Sequence, residues 1–282
     1  MDRADRLDAA TACSGAAPEK ALGSDEKAVS CGIAVMAKAS APGSAKTRLV
    51  PPLTFAEAAA LNTAFLQDVT DNILLAAREA GIVGYAAYGP PGSEGFFRRT
   101  MSPTIGLIAA WLPNFGDCLL HAVREILARG HTAAVVLNSD SPTLPTAILV
   151  ETAAVLARSG DRAVLGPSSD GGYYLLGLKA AHRRMFADIA WSTEQVAAQT
   201  LDRAREIELD VHVLPVWYDV DDVDSLRRLH CELERRESSS CALTGYDPHH
   251  ARHSAALLGR LQQDEQFMRR LEVFGQVEQV DA

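Results

Sequence analysis

The sequence lacks the features that mark membrane-spanning, disulfide-bonded and nucleic-acid-binding proteins. It has no uninterrupted apolar run near the roughly 20 residues that a membrane-spanning helix needs. Its five cysteines are odd in number and form neither a C-x-x-C pair nor zinc-finger spacing, so a disulfide or zinc scaffold is not expected. Its 27 basic and 36 acidic residues give a formal net charge of −9, which disfavours general attraction to nucleic acid or to an anionic membrane.

The beginning of the chain also lacks the apolar segment of a secretory signal, because residues 1–27 mix Ala, Gly, Ser and charged residues. We therefore expect a soluble, cytoplasmic protein with a flexible leader over residues 1–27. With 48% hydrophobic residues, the chain has enough apolar side chains for a buried core. We place the folded domain at 28–237 and a linker with a C-terminal helix at 238–282.

Strand and helix patterns alternate along the predicted domain. The predicted strands cover residues 31–37, 82–88, 105–110, 133–137, 163–166, 173–178 and 211–215. The predicted helices cover residues 54–80, 117–129, 146–158, 193–206, 224–236 and 251–274. This alternation predicts a three-layer α/β/α sandwich with a mainly parallel central sheet.

Two of these helices carry more specific expectations. Thr54 and Glu57 have the spacing of a capping box, so the first helix should begin at Thr54. The helix over 251–274 has an apolar stripe that includes Leu258 and Leu261. This stripe can pack on its own domain or hold two copies of the chain together as a homodimer.

The loops that follow strands are the first places to look for a site, since ligands of open α/β sheets bind outside the carboxyl ends of the strands. The loop after the first strand has three cations and no acid between residues 29 and 54, against the net sign of the chain. A solvated basic loop would show the same charges. The functional interpretation of this loop is a diphosphate-binding site, with the candidate residues Lys38, Gly43, Lys46 and Arg48.

Asp140 follows the predicted strand 133–137, which reads as buried on both faces. An aspartate at such a strand end can bind the divalent cation that bridges two phosphates, although Asp before Ser-Pro also caps turns. Asp219 or Asp221 can complete the metal site, which we expect to hold Mg²⁺ or Mn²⁺. Asp222 and Asp224 have the positions of capping and first-turn acids of the next helix.

A third loop, over residues 166–174, contains Asp170, Gly171, Gly172 and Tyr173. The glycines allow a ligand to approach the backbone and Tyr173 can form a wall, but an ordinary Asp-Gly hairpin turn has the same sequence. Trp191 precedes a helix and can either stack on a sugar ring or belong to the core. The histidines near residue 250 lack zinc-site spacing and read as surface residues.

Four ordered motifs, within 34–49, 138–145, 166–177 and 218–226, give the chain a resemblance to a known family. They read A-V-M-A-K-A-S-A-P-G-S-A-K-T-R-L, N-S-D-S-P-T-L-P, G-P-S-S-D-G-G-Y-Y-L-L-G and Y-D-V-D-D-V-D-S-L. Together they resemble bacterial glycosyltransferases labelled as arsenosugar-biosynthesis or radical-SAM/selenodomain-associated transferases. The resemblance implies a GT-A-like fold, the nucleotide-diphospho-sugar transferase sandwich that guanylyltransferases also share.

The resemblance also implies roles for individual positions. Lys38, Lys46 and Arg48 would hold the donor diphosphate, Asp140 would bind the metal, and Asp170 and Asp219 would line the reaction centre. This sequence departs from the family pattern at two positions. The D-x-D of many GT-A enzymes appears as Asn138-Ser139-Asp140, and the Gly-Asp-Leu-Gly segment that contributes a nucleotide contact appears as Gly-Asp-Cys-Leu around Asp117.

These observations predict an enzyme that moves a sugar from a nucleotide-diphosphate donor to a small-molecule acceptor. A metal ion would neutralise the leaving diphosphate, and Asp170 would act as general base or acceptor ligand. A nucleotidyltransferase that joins an NTP to a phosphorylated small molecule needs the same charges. A protein that binds a nucleotide sugar without chemistry is the third reading, and Asn138 in place of an acid favours it.

Overall fold

The computed structural model describes residues 30–235 and 245–270. The expected leader over residues 1–27 lies outside the described residues, as do part of the expected linker and the last residues of the expected C-terminal helix. Within the described ranges, no helix combines the length and the apolar character needed to cross a membrane.

Within residues 30–235 and 245–270, seven strands form one sheet in the order β3-β2-β1-β4-β6-β5-β7. The strands are β1 (Cys31–Lys38), β2 (Ile82–Gly89), β3 (Gly106–Ala109), β4 (Ala133–Leu137), β5 (Ala163–Pro167), β6 (Tyr173–Leu178) and β7 (Val211–Val213). All neighbouring pairs are parallel except those of β6, which is antiparallel to both β4 and β5. The predicted mainly parallel sheet is confirmed.

In the described ranges, seven helices precede the helical segment that begins at residue 265. They are α1 (Phe55–Ala76), α2 (Glu94–Thr100), α3 (Phe115–Ala128), α4 (Thr146–Ala157), α5 (Val196–Glu206), α6 (Val223–Arg235) and α7 (Arg252–Leu261). The sequence patterns missed α2, because seven residues are too few to show a clear helical period. Two short 3-10 helices, Thr47–Leu49 and Arg183–Phe186, lie in the connections.

Two separate clusters of buried side chains make this fold a three-layer sandwich. Alternate residues of β1 face opposite sides, so that Ile33 and Val35 belong to one cluster and Ala34 to the other. The first cluster joins the sheet to α1, α4, α6 and α7, and the second joins it to α3 and α5. Every residue of β4 is buried, as expected for a central strand covered on both faces.

Helix α1 begins as its sequence predicts. The Thr54 hydroxyl accepts a hydrogen bond from the Glu57 amide, and the Glu57 carboxylate accepts one from the Thr54 amide. The helix ends at Ala76, four residues before the predicted end at residue 80, and residues 77–80 form turns. The capping box is therefore confirmed, and the C-terminal boundary was predicted too late.

The prediction of one continuous C-terminal helix over 251–274 is wrong in the described part. Helix α7 ends at Leu261 and helical structure resumes at residue 265. The break has a local cause, because the Asp264 carboxylate accepts a hydrogen bond from the Gln266 amide and so caps a new helix start. The remaining predicted residues, 271–274, lie outside the described residues.

Helix α7 packs on α1 of its own chain. The fully buried Asp68 of α1 accepts hydrogen bonds from the amides of His253 and Ser254 and from the Ser254 hydroxyl, so it caps the start of α7. His253 also contacts Asp71, so it is not a free surface histidine. Because Leu258 is buried in the core of the same chain, a homodimer through this stripe would first have to detach α7.

The capping box makes a quantitative prediction. Thr54→Ala removes the acceptor for the Glu57 amide, so the free energy of unfolding should fall by about 1 kcal/mol in urea denaturation. Thr63→Ala is the matched control, since Thr63 lies inside the same helix and its hydroxyl bonds the Ala59 carbonyl. A Thr54 variant as stable as the wild type, or a larger loss in the control, would contradict the assignment.

Candidate functional site

The candidate site lies at the edge of the sheet where β1, β2, β3 and β4 end. Because these four strands are parallel, the loops that follow them meet at this edge. The basic loop follows β1, and the loop with Asp140 follows β4. The segment 217–222 joins them, since the Val220 amide donates to the Asp140 carbonyl at 2.8 Å and the Ser141 hydroxyl donates to the Tyr218 carbonyl at 2.9 Å.

Lys46 connects the basic loop to two aspartates. Its ammonium Nζ lies 2.7 Å from Asp140 Oδ1 and 2.7 Å from Asp221 Oδ1, and it donates to the Val220 carbonyl at 2.8 Å. Only 5% of the Lys46 side chain is exposed. These three contacts use all three N–H groups, so Lys46 can bind a phosphate only if one contact is exchanged. The phosphate role predicted for Lys46 stays a prediction.

The surroundings of Lys46 favour its charged form. Burial alone would lower the pKa of the Lys46 ammonium, but the charges and hydrogen bonds of Asp140 and Asp221 outweigh burial and raise that pKa above its ordinary value. Lys46 therefore acts as a fixed cation between two carboxylates. The three side chains together keep one net negative charge.

Asp219 and Asp170 form a second acidic pair, in which the charge of Asp170 acts on the Asp219 carboxyl. Asp219 Oδ1 accepts a hydrogen bond of 2.8 Å from the Ser168 hydroxyl. Burial raises the pKa of the Asp219 carboxyl, and the nearby charges of Asp170 and Asp221 raise it further, while the bond from Ser168 opposes the shift. A raised pKa makes Asp219 a better proton acceptor than an ordinary exposed aspartate.

Asp170 is exposed and also shapes its own loop, because its Oδ1 accepts a hydrogen bond from the Gly172 amide at 2.8 Å. Gly171 has a φ of +86°, and a Cβ there would lie 2.1 Å from the Glu194 carbonyl oxygen. The turn connects the antiparallel strands β5 and β6. The loop is therefore an Asp-Gly hairpin turn. Glycine is required at position 171 because any side chain there would clash with the backbone of the 193–195 segment.

A cluster of aromatic side chains begins at Tyr173, directly after the turn that contains Asp170. Trp191 lies edge-on to Phe115, with ring centroids 5.3 Å apart, and edge-on to Tyr173 at 6.4 Å. Among the described residues, the buried Tyr173 hydroxyl and the buried Asn138 Oδ1 have no hydrogen-bond partner. Such unpaired buried groups are costly and mark positions where a ligand or water is expected.

The remaining predicted residues do not reach the acidic residues. Lys38 donates to the Ser44 carbonyl at 2.9 Å and so closes the basic loop, in which Gly43 has a φ of +77°. Arg48 is exposed on the short 3-10 helix, and Asp117 is exposed in the first turn of α3.

The capping role expected for Asp222 is confirmed, since its carboxylate accepts hydrogen bonds from the amide and hydroxyl of Ser225.

The donor set can be compared with the needs of a divalent metal. In the described ranges, no group of three or more His, Cys, Asp or Glu side chains is placed to hold an ion. Asp140, Asp219 and Asp221 therefore do not form a complete three-carboxylate site. Mg²⁺ and Mn²⁺ prefer oxygen ligands, and Mg²⁺ needs only one or two carboxylates when a substrate supplies the rest. The net negative charge around Asp140 and Asp221 fits that requirement.

Two participants in the site had no distinctive signal in the sequence. Ser168 was part of a Gly/Ser-rich turn, and only the structure shows its bond to Asp219. The Val220 carbonyl, which holds Lys46, is a backbone group that any residue type would supply. Long-range contacts of this kind join positions more than 50 residues apart, and local patterns do not encode them.

Part of the chain matches a family model. Residues 73–193 match the family model described as "Uncharacterized protein conserved in bacteria (DUF2064)". The matched range includes Asp140 and Asp170 but not Lys46 or Asp221. No curated protein matches the chain.

Among solved structures, a candidate nucleotide-diphospho-sugar transferase from Desulfovibrio desulfuricans G20 matches with a TM-score of 0.70 and 25% identity, over 86% of this chain and 98% of that chain. A cytidylyltransferase from Leptospira borgpetersenii serovar Hardjo-bovis (strain JB197) matches with a TM-score of 0.49 and 10% identity, over 85% and 96%. The manganese complex of Rv0371C from Mycobacterium tuberculosis H37Rv matches with a TM-score of 0.41 and 19% identity, over 71% and 97%.

The ion pairs of Lys46 predict a pH-dependent stability difference. Lys46→Met should lower the free energy of unfolding at pH 7 by roughly 1–3 kcal/mol, because two carboxylates lose their hydrogen-bonded cation. The pKa of Lys46 is raised in the folded protein, so its contribution is complete below the ordinary lysine value of about 10.4 and is lost as the pH rises through the folded value. Urea denaturation of both proteins from pH 7 to pH 11 measures this difference.

Lys38→Met is the matched control, because Lys38 lies at the start of the same loop but is exposed. It should change stability by less than about 0.5 kcal/mol. Equal stability of the wild type and the Lys46 variant at pH 7 would show that the pairs contribute nothing. A difference that grows at alkaline pH would contradict the direction of the pKa shift.

Proposed function

We propose that this protein is a transferase that moves a sugar from a nucleotide-diphosphate donor to a small-molecule acceptor. One observation carries the proposal: a basic loop and a group of aspartates, joined by Lys46, meet at the carboxyl edge of a mainly parallel sheet. This is where an α/β sheet binds its ligand. The structural match to the candidate nucleotide-diphospho-sugar transferase supports the same class of donor.

Each part of the site has a role in this reaction. Breaking the bond between the sugar and the diphosphate leaves negative charge on the diphosphate, and the cations of the basic loop are placed to stabilise it. Lys38 and Arg48 can contact the diphosphate directly, since both side chains are exposed in this loop. Lys46 keeps the carboxylates of Asp140 and Asp221 at fixed positions beside it.

A divalent cation, Mg²⁺ or Mn²⁺, would be held by Asp140 and Asp221 and would add positive charge next to the diphosphate. Asp219 stays in the second acidic pair, where its bond with Ser168 fixes its carboxylate. These assignments use only one or two protein carboxylates for the metal, in agreement with the donor set of the described residues.

The acceptor must lose a proton as it attacks the sugar. Asp170 is exposed and electrostatically coupled to Asp219, so we assign Asp170 as the general base. The raised pKa of Asp219 makes it a suitable second site for the proton. Trp191 and Tyr173 form an aromatic wall on this side of the site, where sugar rings commonly pack.

Asp140→Asn provides the direct test of this function. The substitution keeps the size of the side chain but removes the charge that faces Lys46, so sugar transfer should fall at least 100-fold. The assay follows the release of nucleoside diphosphate from UDP-, GDP-, ADP- and dTDP-sugars with Mg²⁺ or Mn²⁺ and a panel of small acceptors. Circular dichroism confirms that the variant remains folded.

Asp224→Asn is the matched control, since Asp224 is an exposed acid in the first turn of α6 whose partner is Arg227. Its activity should equal that of the wild type. An active Asp140 variant would refute the assignment of Asp140. Pyrophosphate release from an NTP by the wild type would instead show a nucleotidyltransferase, and binding of a nucleotide sugar without turnover would show a non-catalytic protein.

A further inference from the structure

Trp111 is a large aromatic residue that is both exposed and held in place. About half of it, 51%, is accessible, and it lies in the connection between β3 and α3. Ring atoms of its indole occupy the space next to Gly89, where an added Cβ would lie 2.0 Å from Cε3 and 2.8 Å from Cδ2. The missing side chain at Gly89 therefore lets the indole rest on the end of β2 with part of its surface open.

This indole lies on the same face of the sheet as the side-chain position of Lys38, the cation at the end of β1. Gly89 pairs in register with Lys38 of the neighbouring strand β1, and their side-chain positions face the same layer. Ala87 and Ala34, which share this face by alternation, belong to the cluster under α3. Asn138 lies just after β4 and two residues after Val136, which belongs to the same cluster. Its side-chain position is therefore on this face of the sheet as well.

Three kinds of side chain therefore follow one another along the carboxyl edge. An open aromatic ring lies at β2, cations lie at β1, and acidic residues lie beyond β4. Neighbouring strands are about 4.8 Å apart, so the step from β2 to β4 is about 10 Å. The sheet order β2-β1-β4 is part of the observed topology.

A nucleotide-diphospho-sugar has its groups in a fixed linear order of base, ribose, diphosphate and sugar. If the diphosphate lies at the cations and the sugar lies at the acidic residues, the base falls on the β2 side. We propose that Trp111 is the stacking platform for the nucleobase of the donor. This inference rests on the proposed function, and it adds a binding residue that the sequence motifs did not include.

Stacking has a consequence for specificity. Every nucleobase has an aromatic face, so an indole supports binding of any base without reading its hydrogen-bonding edge. Trp111 therefore contributes affinity for the nucleoside half of the donor and leaves the choice of base to other groups. Inorganic pyrophosphate, which has no ring, gains nothing from Trp111.

The test compares Trp111→Ala and Trp111→Phe with the wild-type full-length chain. Calorimetric titrations with UDP, GDP, ADP and dTDP, and with inorganic pyrophosphate, measure each dissociation constant in the presence of Mg²⁺. Trp111→Ala should weaken binding of the tightest nucleoside diphosphate by roughly tenfold to a hundredfold. Trp111→Phe should recover most of that loss because it keeps an aromatic face, and neither variant should change pyrophosphate binding.

Three results would overturn the inference. If Trp111→Ala binds nucleoside diphosphates as tightly as the wild type, Trp111 is not a platform, although the proposed function stands. If Trp111→Ala weakens pyrophosphate and nucleotides equally, the effect comes from a disturbed loop and not from stacking. If the wild type binds neither nucleoside diphosphates nor nucleotide sugars, the proposed function fails as well. Nucleotide-induced quenching of tryptophan fluorescence that is present in the wild type and lost in Trp111→Phe provides an independent signal, because Trp191 and Trp217 remain in that variant.

Discussion

The contact of the Lys46 ammonium with Asp140 and Asp221 is the interaction on which the site depends. Without a cation, two carboxylates would repel each other where loops from distant parts of the chain meet. With Lys46 buried between them, three loops are held together: the loop after β1, the loop after β4 and the segment before α6. In the proposed function, the one net negative charge that remains would face the metal ion, and Lys38 and Arg48 would face the diphosphate.

The sheet determines where these loops can meet. Four neighbouring strands run parallel, so their carboxyl ends lie on one edge, and the antiparallel β6 brings the start of its own strand to the same edge. Tyr173, the first residue of β6, therefore lies on the same side as Asn138, whose amide bonds the Tyr174 carbonyl. The linear row from Trp111 through Lys38 to the acidic residues is a direct result of this strand order.

Much of the fold could be predicted because it depends on local patterns. The predicted limits of β4 and β6 are those of the structure, since apolar runs with turn residues on both sides define such strands well. The capping box of α1 was also predicted, because it needs only residues three positions apart. The break between α7 and residue 265 was missed, because an apolar stripe can continue in sequence while Asp264 caps a new start.

The site was predicted only in part, for a related reason. The positions after the strands predict Asp140, Asp219 and Asp221 as metal ligands and Lys46 as a phosphate ligand, and these roles stay predictions. The ion pairs of Lys46 with Asp140 and Asp221 were not predicted. The partners of Lys46 lie about 90 and 175 positions along the chain, and no sequence period connects them. Trp111 had no motif around it, and only its position over Gly89 shows that an exposed indole is fixed.

The most direct test of the central claim is to identify which bond of the donor breaks. Phosphorus-31 NMR of the wild-type chain with one nucleotide sugar, Mn²⁺-free Mg²⁺ buffer and a panel of small acceptors follows the phosphorus atoms directly. We expect the nucleotide-sugar signals to give way to those of a nucleoside diphosphate while a glycosylated acceptor forms. A nucleoside monophosphate together with a sugar 1-phosphate, the two products of breaking the diphosphate bond, would contradict sugar transfer.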